Sequence, residues 1–295
     1  MHFARALVAL GIEERSVVLI QGANTPEHMV CIMGTILANC VFSDIYPTNL
    51  PDVCLYQVKH SKAKVICCDT YARLKAKFLV NQEQLVAAGV KVCIIFDEGK
   101  TVDEVITVPG KCQIRIITWA QLMTKVCSEI GTGVIYKRID NQKPGECCDL
   151  VYTSGTTGEP KAVMLSHDNL TWTWSVYNNI KYLGDPEAVD PLTLNPTKVV
   201  SFLPLSHIMA QMADLTRPIV SLRPVCVTFA PQRILLTNKL HEILQFIRPT
   251  ELMAVPRVYE KFEDRLKLIV HNKWSKTSKD FLGWAQQKGT KNIEA

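Results

Sequence analysis

The sequence predicts an α/β fold whose sheets are mostly parallel and flanked by helices. Three observations lead there. β-branched runs alternate with apolar helical segments, the connections have crossover length, and helix start and stop residues fall between the segments.

The elements follow in order. Phe3–Leu10 is a helical run stopped at Gly11, and Ser16–Ile20 is a β-branched strand. Thr25 is an N-cap with Pro26 at the first helical position, which opens an apolar helix. A strand at Val41–Ile45, a helix after Asn49-Leu50-Pro51, a strand at Lys64–Cys68, a long helix from Tyr71 and a strand at Val92–Phe96 continue the alternation. An irregular stretch, Asp97–Gly110, leads to a strand at Ile114–Ile117 and a helix after Trp119. Lys143-Pro144-Gly145-Glu146 is a turn. A strand ending near Tyr152, a glycine and threonine loop, a strand at Ala162–Leu165 and a helix opened by Ser166 to Asp168 come next. Later strands fall at Val199–Phe202, Val225–Phe229 and Leu252–Ala254, with helices carrying Arg233–Phe246 and Arg257–Val270. Leu183–Thr197, with three prolines, reads as a surface excursion and is the expected mobile loop. Approximate subdomains are 1–145 and 146–295.

Composition narrows the function classes. With 295 residues, 47% apolar and 21% charged, the chain is an ordinary globular one and not a disordered one. Its net charge of +5 is concentrated in residues 255–295, which hold nine Lys/Arg against five Asp/Glu. There the charges interleave, as in Glu263 and Lys267 at i, i+4, which reads as a solvated helix face; no nucleic-acid partner is expected. Eleven cysteines without a CxxC, and no secretory leader at Met1, point to a reducing, cytoplasmic setting. The vicinal pairs Cys67/Cys68 and Cys147/Cys148 lie in apolar runs and read as structural thiols, and the spacing of His28 and Cys31 as coincidence. Met29–Cys40 is too short for a membrane span, so membrane contact, at the endoplasmic reticulum or another intracellular membrane, would be peripheral.

The segment Tyr152-Thr153-Ser154-Gly155-Thr156-Thr157-Gly158-Glu159-Pro160-Lys161 carries the most chemistry. Six consecutive small residues, Thr153 to Gly158, leave backbone N–H groups and hydroxyls open to a polyphosphate, and Lys161 adds a mobile positive charge. It is not a Walker A loop, because the second glycine required after Gly155 falls at Pro160. It is not a nucleophile elbow either, since Ser154 lacks the GxSxG frame. Composition alone leaves a phosphate cradle and a plain solvent loop as equal readings.

The order of residues adds more. Tyr152 to Lys161, followed by Val163-Met164-Leu165-Ser166-His167-Asp168-Asn169, resembles the signature motif of adenylate-forming enzymes, the AMP-binding superfamily of acyl-CoA synthetases. Ser201-Phe202-Leu203-Pro204-Leu205-Ser206-His207 and Val255-Pro256-Arg257-Val258-Tyr259-Glu260-Lys261 resemble blocks of long-chain acyl-CoA synthetases. With Asn24-Thr25-Pro26-Glu27, Ile45-Tyr46-Pro47-Thr48-Asn49 and Phe281-Leu282-Gly283-Trp284-Ala285, the pattern is most similar to the bubblegum subgroup of long-chain fatty acid CoA ligases.

That resemblance implies the large N-terminal domain of the adenylate-forming fold, present in part, and a reaction in which fatty acid, ATP and CoA give acyl-CoA through an acyl-adenylate, with Mg2+ as cofactor. Thr153, Ser154, Gly155, Thr156, Thr157, Gly158 and Lys161 would hold the ATP phosphates, and His207 would sit on the acyl and adenylate side. His207 also reads as a helix-start residue bonding backbone, His167 as an N-terminal helix residue, Arg257 as a turn-capping residue or a phosphate-side cation, and Tyr259 and Phe262 as core. No catalytic residue and no metal ligand is assigned. The later adenine, ribose and C-terminal lysine blocks are missing from the 295 residues, so a nucleotide-binding or regulatory piece without catalysis is the alternative. Ala162 replaces the family glycine after Pro-Lys, and Asp44 stands where a small apolar residue or glycine is usual.

Overall fold

The computed structural model describes residues 1–97, 103–107, 113–153, 159–182, 196–221, 224–231, 234, 237 and 239–273. Helix α1 (His2–Ala9) ends where the sequence places a stop. Gly11 takes φ +68°, and the N–H groups of Gly11 and Ile12 close on the carbonyls of Val8 and Leu7 at 2.9 and 3.0 Å. Without a Cβ, glycine enters that left-handed turn at little cost. After β1 (Val17–Gln21), α2 (Pro26–Leu37) is capped by Thr25 Oγ1, which accepts from the His28 N–H at 3.3 Å. Mid-helix, Gly34 lets α2 approach α1 closely, because a Cβ there would lie 2.7 Å from the Phe3 side chain.

Three strands, β2 (Val41–Asp44), β3 (Val65–Cys68) and β4 (Val92–Ile95), follow β1, with α3 (Pro51–Ser61), α4 (Tyr71–Lys77) and α5 (Gln82–Ala87) between them. The long helix expected from Tyr71 is broken. Phe78 leaves helical geometry at φ −122° and ψ −51°, its ring 1% exposed in the core, and a 3-10 turn at Leu79–Asn81 separates α4 from α5. The stretch expected to be irregular contains a strand, β5 (Asp103–Thr107), ordered by antiparallel pairing with β6 (Gln113–Thr118). A capping box between Thr118 and Gln121 opens α6 (Trp119–Thr124), and a further helix, α7 (Thr132–Asp140), precedes the expected turn.

β7 (Cys147–Thr153) and β8 (Lys161–Ser166) form an antiparallel pair, and α8 (His167–Tyr182) starts with Ser166 Oγ accepting the Asn169 N–H at 3.1 Å. Among the described residues the eight strands make one sheet in the order β5-β6-β4-β3-β1-β2-β7-β8, parallel from β6 to β7 and antiparallel at both edges. Its strands β3 and β4 are apolar on both faces, as suits parallel strands between two helix layers. Leu19, Ile66 and Cys93 pack with Cys54, Val58 and Leu74 of α3 and α4 on one face. On the other, α1, α2, α6 and α7 cluster together.

A second sheet pairs β9 (Thr197–Ser201) in parallel with β10 (Val225–Phe229). Between them run α9 (Ile208–Ala210), a π-helical segment at Gln211–Thr216 and α10 (Arg217–Val220). The helix expected over 233–246 is seen as α11 (Leu240–Ile247); positions 232, 233, 235, 236 and 238 lie outside the described residues, as do 183–195 of the expected mobile loop and Phe281 to Ala285.

The chain divides into two compact units, Met1–Glu251 and Leu252–Ala295. Within the second, Leu252–Ala254 is not a strand: it has no ladder partner among the described residues, and the Leu252 carbonyl accepts from Tyr259 Oη at 2.8 Å. Helix α12 (Pro256–Lys273) carries the expected Glu263–Lys267 pair at 2.6 Å. Tyr259 is 46% exposed on this helix and not core, and Phe262 is half-buried. Arg257, in the first turn of α12, pairs with Glu260 at 2.9 Å on the surface. No helix of the described residues is long and apolar enough to cross a membrane.

Candidate functional site

Parallel strands deliver their loops to one edge of a sheet, and ligand crevices form outside those carboxyl ends. Here β2 runs out into Tyr46 and Asn49, β7 into Thr153, and β9 into Pro204 and His207. These segments wall a cavity of about 370 Å3 to which Tyr46, Asn49, Gln57, Thr153, Pro160 and His207 all contribute. Two of the expected site residues, Thr153 and His207, therefore face one space. Asn24, at the end of β1, holds the β9 outflow in place: its Nδ2 donates to Ser201 Oγ at 2.8 Å and to the Leu203 carbonyl at 2.7 Å, and its Oδ1 accepts from the Leu205 N–H at 3.2 Å.

The expected phosphate loop begins at Thr153 and returns at Lys161, which pair across the β7–β8 ladder. Ser154, Gly155, Thr156, Thr157 and Gly158 lie outside the described residues. Lys161 is exposed and has no ion-pair partner among the described residues. Helix α3 borders both shoulders of the loop. Tyr152 Oη meets His60 Nδ1 at 2.9 Å, and Tyr56 Oη donates to the Pro160 carbonyl at 3.1 Å. Burial, with the neighbouring Tyr56, pushes the Tyr152 phenol up to about 12, so it stays a neutral donor.

His207 precedes α9 on the cavity wall. Its Nδ1 accepts from the Met209 N–H at 3.2 Å, capping α9, while the residue lines the cavity. A neutral ring that accepts at Nδ1 carries its proton on Nε2, so a hydrogen-bond donor remains for a ligand. His167 opens α8 with its N–H on the Glu146 carbonyl at 3.2 Å, and burial and Arg15 lower its pKa. No carboxylate lines the cavity among the described residues.

A family model described as AMP-binding enzyme matches residues 1–288. The chain belongs to the AMP-binding enzyme family. It is 36% identical over 269 residues to the long-chain-fatty-acid–CoA ligase ACSBG1 of Rattus norvegicus, covering 90% of this chain and 34% of the relative. To the long-chain-fatty-acid–CoA ligase ACSBG2 of Xenopus laevis it is 35% identical over 287 residues, covering 97% of this chain and 36% of the relative. The chain thus spans about a third of the length of these curated relatives. O-succinylbenzoate coenzyme A synthetase from Bacillus subtilis, solved with AMP, superposes with a TM-score of 0.60 at 18% identity, over 90% of this chain and 55% of that one. A benzoate CoA ligase from Burkholderia xenovorans gives 0.57 at 19% identity, over 88% and 43%. At such identities the superpositions establish the adenylate-forming fold.

This AMP-binding enzyme chain also holds a buried polar cluster that the sequence reading missed. Asp44, noted as a departure, is paired: its Oδ1 lies 2.7 Å from His28 Nε2, and His28 Nδ1 lies 3.0 Å from the Ala23 carbonyl. Both ring nitrogens face acceptors, which suits an imidazolium. Burial pulls the His28 pKa down, but the Asp44 charge and hydrogen bond and the Ala23 carbonyl outweigh it and leave it above 6.5. On the same face, Asp149 of β7 sits in register with Phe42 and is fully buried. Burial, with the Asp44 charge, drives its pKa well above the usual carboxylate range. The available signal was an aspartate inside each of two apolar strand runs, Val41–Ile45 and Cys147–Tyr152, where an uncompensated charge is prohibitive. Of the vicinal thiols, Cys67, Cys68 and Cys148 are buried and Cys147 is half-buried, and burial raises the Cys68, Cys147 and Cys148 pKa values.

Proposed function

We propose that this chain carries the phosphate-holding and acyl-facing part of a long-chain fatty acid CoA ligase site. The observation that supports the reading most is the shared cavity, with Thr153 and Pro160 from the two shoulders of the loop and His207 from the second sheet on its wall. Thr153 to Gly158 would donate N–H and hydroxyl groups to the β and γ phosphates of ATP, and Lys161 would neutralise the charge that grows on pyrophosphate as it leaves. The fatty-acid carboxylate, oriented by His207 Nε2–H, would attack the α-phosphorus; the bond to the β-phosphate oxygen breaks and acyl-AMP forms. The thiol of CoA then displaces AMP.

The donor set of hydroxyls, N–H groups and one ammonium suits phosphate oxygens. It does not suit a dedicated Mg2+ cage, since the cavity has no carboxylate and no group of three His, Cys, Asp or Glu converges among the described residues. Mg2+ would arrive on ATP.

The test is mass spectrometry of acyl-AMP and acyl-CoA after incubating the 295-residue chain with Mg-ATP, palmitate and CoA, beside a thermal-shift titration with Mg-ATP. Lys161→Ala combined with Gly155→Val should abolish ATP protection and leave the apo fold largely intact. A site saturated a hundredfold over Kd gives about 2.7 kcal/mol of protection. Wild-type protection in the double variant would overturn the cradle. ATP protection without either product would favour a nucleotide-binding piece without catalysis.

A further inference from the structure

Ser201 is a junction. It closes β9, it is fully buried, and its carbonyl accepts the Ala230 N–H at 2.9 Å beside the end of β10. Its hydroxyl meets two side chains far apart in the chain. Asn24 Nδ2 donates to Ser201 Oγ at 2.8 Å, and Ser201 in turn donates to the carboxylate of Asp214, on the π-helical segment that follows α9. Next to Asp214 stands Arg217, 2% exposed and paired with Glu251 at 2.6 Å. Burial pushes the Asp214 carboxyl up to about 7, against the Ser201 hydrogen bond and the Arg217 charge, which pull it down.

We infer that Asp214 is a positioning residue for His207, acting through Ser201 and Asn24; this rests on the reading of His207 proposed above. The argument is one of direction. A serine hydroxyl gives one hydrogen and also accepts at its oxygen, so it can face an amide either way round. Once Asp214 takes that hydrogen, Ser201 Oγ can only accept from Asn24, and the Asn24 amide must present Nδ2. In that orientation Nδ2 also reaches the Leu203 carbonyl at 2.7 Å, and Oδ1 receives the Leu205 N–H at 3.2 Å. The reversed amide would set donor against donor at Leu205 and acceptor against acceptor at Leu203. His207 follows, with its N–H on the Pro204 carbonyl at 2.9 Å and its own carbonyl accepting from the N–H groups of Ala210 and Gln211 at 2.9 and 3.2 Å. The segment that carries the histidine is thus tied to Ser201 on both sides, upstream through Asn24 and downstream through Asp214. A histidine held in this way spares a ligand the cost of ordering it.

The experiment measures Kd for palmitate by calorimetry on the full chain at pH 8, where Asp214 is ionised, in Asp214→Leu, Asp214→Asn, Ser201→Ala, Asn24→Ala and the Asn24→Ala/Asp214→Leu pair, with His207→Ala as reference. The same proteins, carrying isotope-labelled histidine, are compared by NMR, the His207 ring signals being those lost in His207→Asn. Asp214→Leu keeps the volume and removes the acceptor, and Ser201→Ala removes the relay; each should weaken palmitate about fivefold and shift the His207 ring signals away from the Nε2–H form. Asp214→Asn keeps an acceptor for Ser201 and should match wild type in both readouts, a rescue that neither a role in charge pairing with Arg217 nor one in packing would produce beside a volume-conserving leucine. In the Asn24→Ala background Asp214→Leu should cost nothing further, because the two act along one path; additive losses overturn the route through Asn24. Wild-type affinity and unshifted ring signals in Asp214→Leu and Ser201→Ala, with binding weakened in His207→Ala, overturn the relay alone. Full palmitate affinity in His207→Ala, or no binding by the wild-type chain, overturns the reading of His207 as the acyl-side donor, and the ring signals then decide by themselves whether Asp214 positions it. Should Asp214→Leu not fold, Ser201→Ala decides, because it deletes one oxygen.

Discussion

His28 Nε2 and Asp44 Oδ1 lie 2.7 Å apart with both side chains 2% exposed, joining the first turn of α2 to the end of β2. A buried pair of this kind contributes little beyond what well-packed apolar groups would, yet breaking it strands a charge. Asp44→Ala should therefore destabilise the fold by about 3–5 kcal/mol in urea denaturation. A loss under about 1 kcal/mol would mean that the imidazole is neutral in the fold and needs no counter-charge.

The same pair sets a pH dependence. The folded pKa of His28 is raised above 6.5, so its stabilisation is fully present below that pH and is lost as pH rises through the folded value. His28→Gln should flatten the decline of stability measured by urea melts from pH 6 to pH 9. An unchanged slope in the variant would remove His28 as the titrating group.

Asp149 acts in the same direction from lower pH. Burial raises its pKa in the fold well above the 3.8 of the unfolded chain, so stability is expected to fall as pH rises above that point, by about 1.4 kcal/mol for each unit up to the folded pKa. Asp149→Asn supplies a neutral group of the same shape. It should equal wild type at pH 3.5 and exceed it at pH 7; a variant less stable than wild type at pH 7 would show that the buried carboxylate is ionised.

His207 allows its two roles to be separated. Asparagine is a good N-cap, so His207→Asn should keep the melting temperature, while His207→Ala loses about 1 kcal/mol of cap. Both should weaken palmitate binding, because neither places a donor at Nε2. Full palmitate affinity in His207→Asn would reduce the histidine to its capping role.

Gly34 tests the contact between α1 and α2. Gly34→Val adds a branched side chain where even a Cβ would lie 2.7 Å from Phe3, whose ring stacks on Trp119 at 5.9 Å. Overpacking of this kind costs about 1–3 kcal/mol, read as a fall in melting temperature. A higher melting temperature would mean that the helix gains more than the contact loses.

What the sequence by itself determined was local. Gly11 stops α1, Thr25 and Pro26 start α2, Ser166 caps α8, and Glu263 and Lys267 pair on α12, because caps, turns and i, i+4 neighbours depend on residues within one helical turn. The motif order around Thr153 and Lys161 was legible for the same reason. Where a distant partner decides the outcome, local reading failed: β5 is a strand because β6 lies beside it, α4 ends because Phe78 is drawn into the core, and Leu252–Ala254 forms no strand, having no pairing strand among the described residues.

Only the tertiary structure decided that Thr153 and His207 share a wall, that α3 reaches both ends of the loop, and that Asp44 finds His28 16 residues away. The contacts of α3 and of Asp44 follow from the strand order β3-β1-β2-β7, which brings the ends of strands far apart in sequence to one sheet edge, and His207 joins them from the second sheet, after β9. Strand order is chosen by the packing of whole helices and strands against one another, and no window of neighbouring residues contains that information.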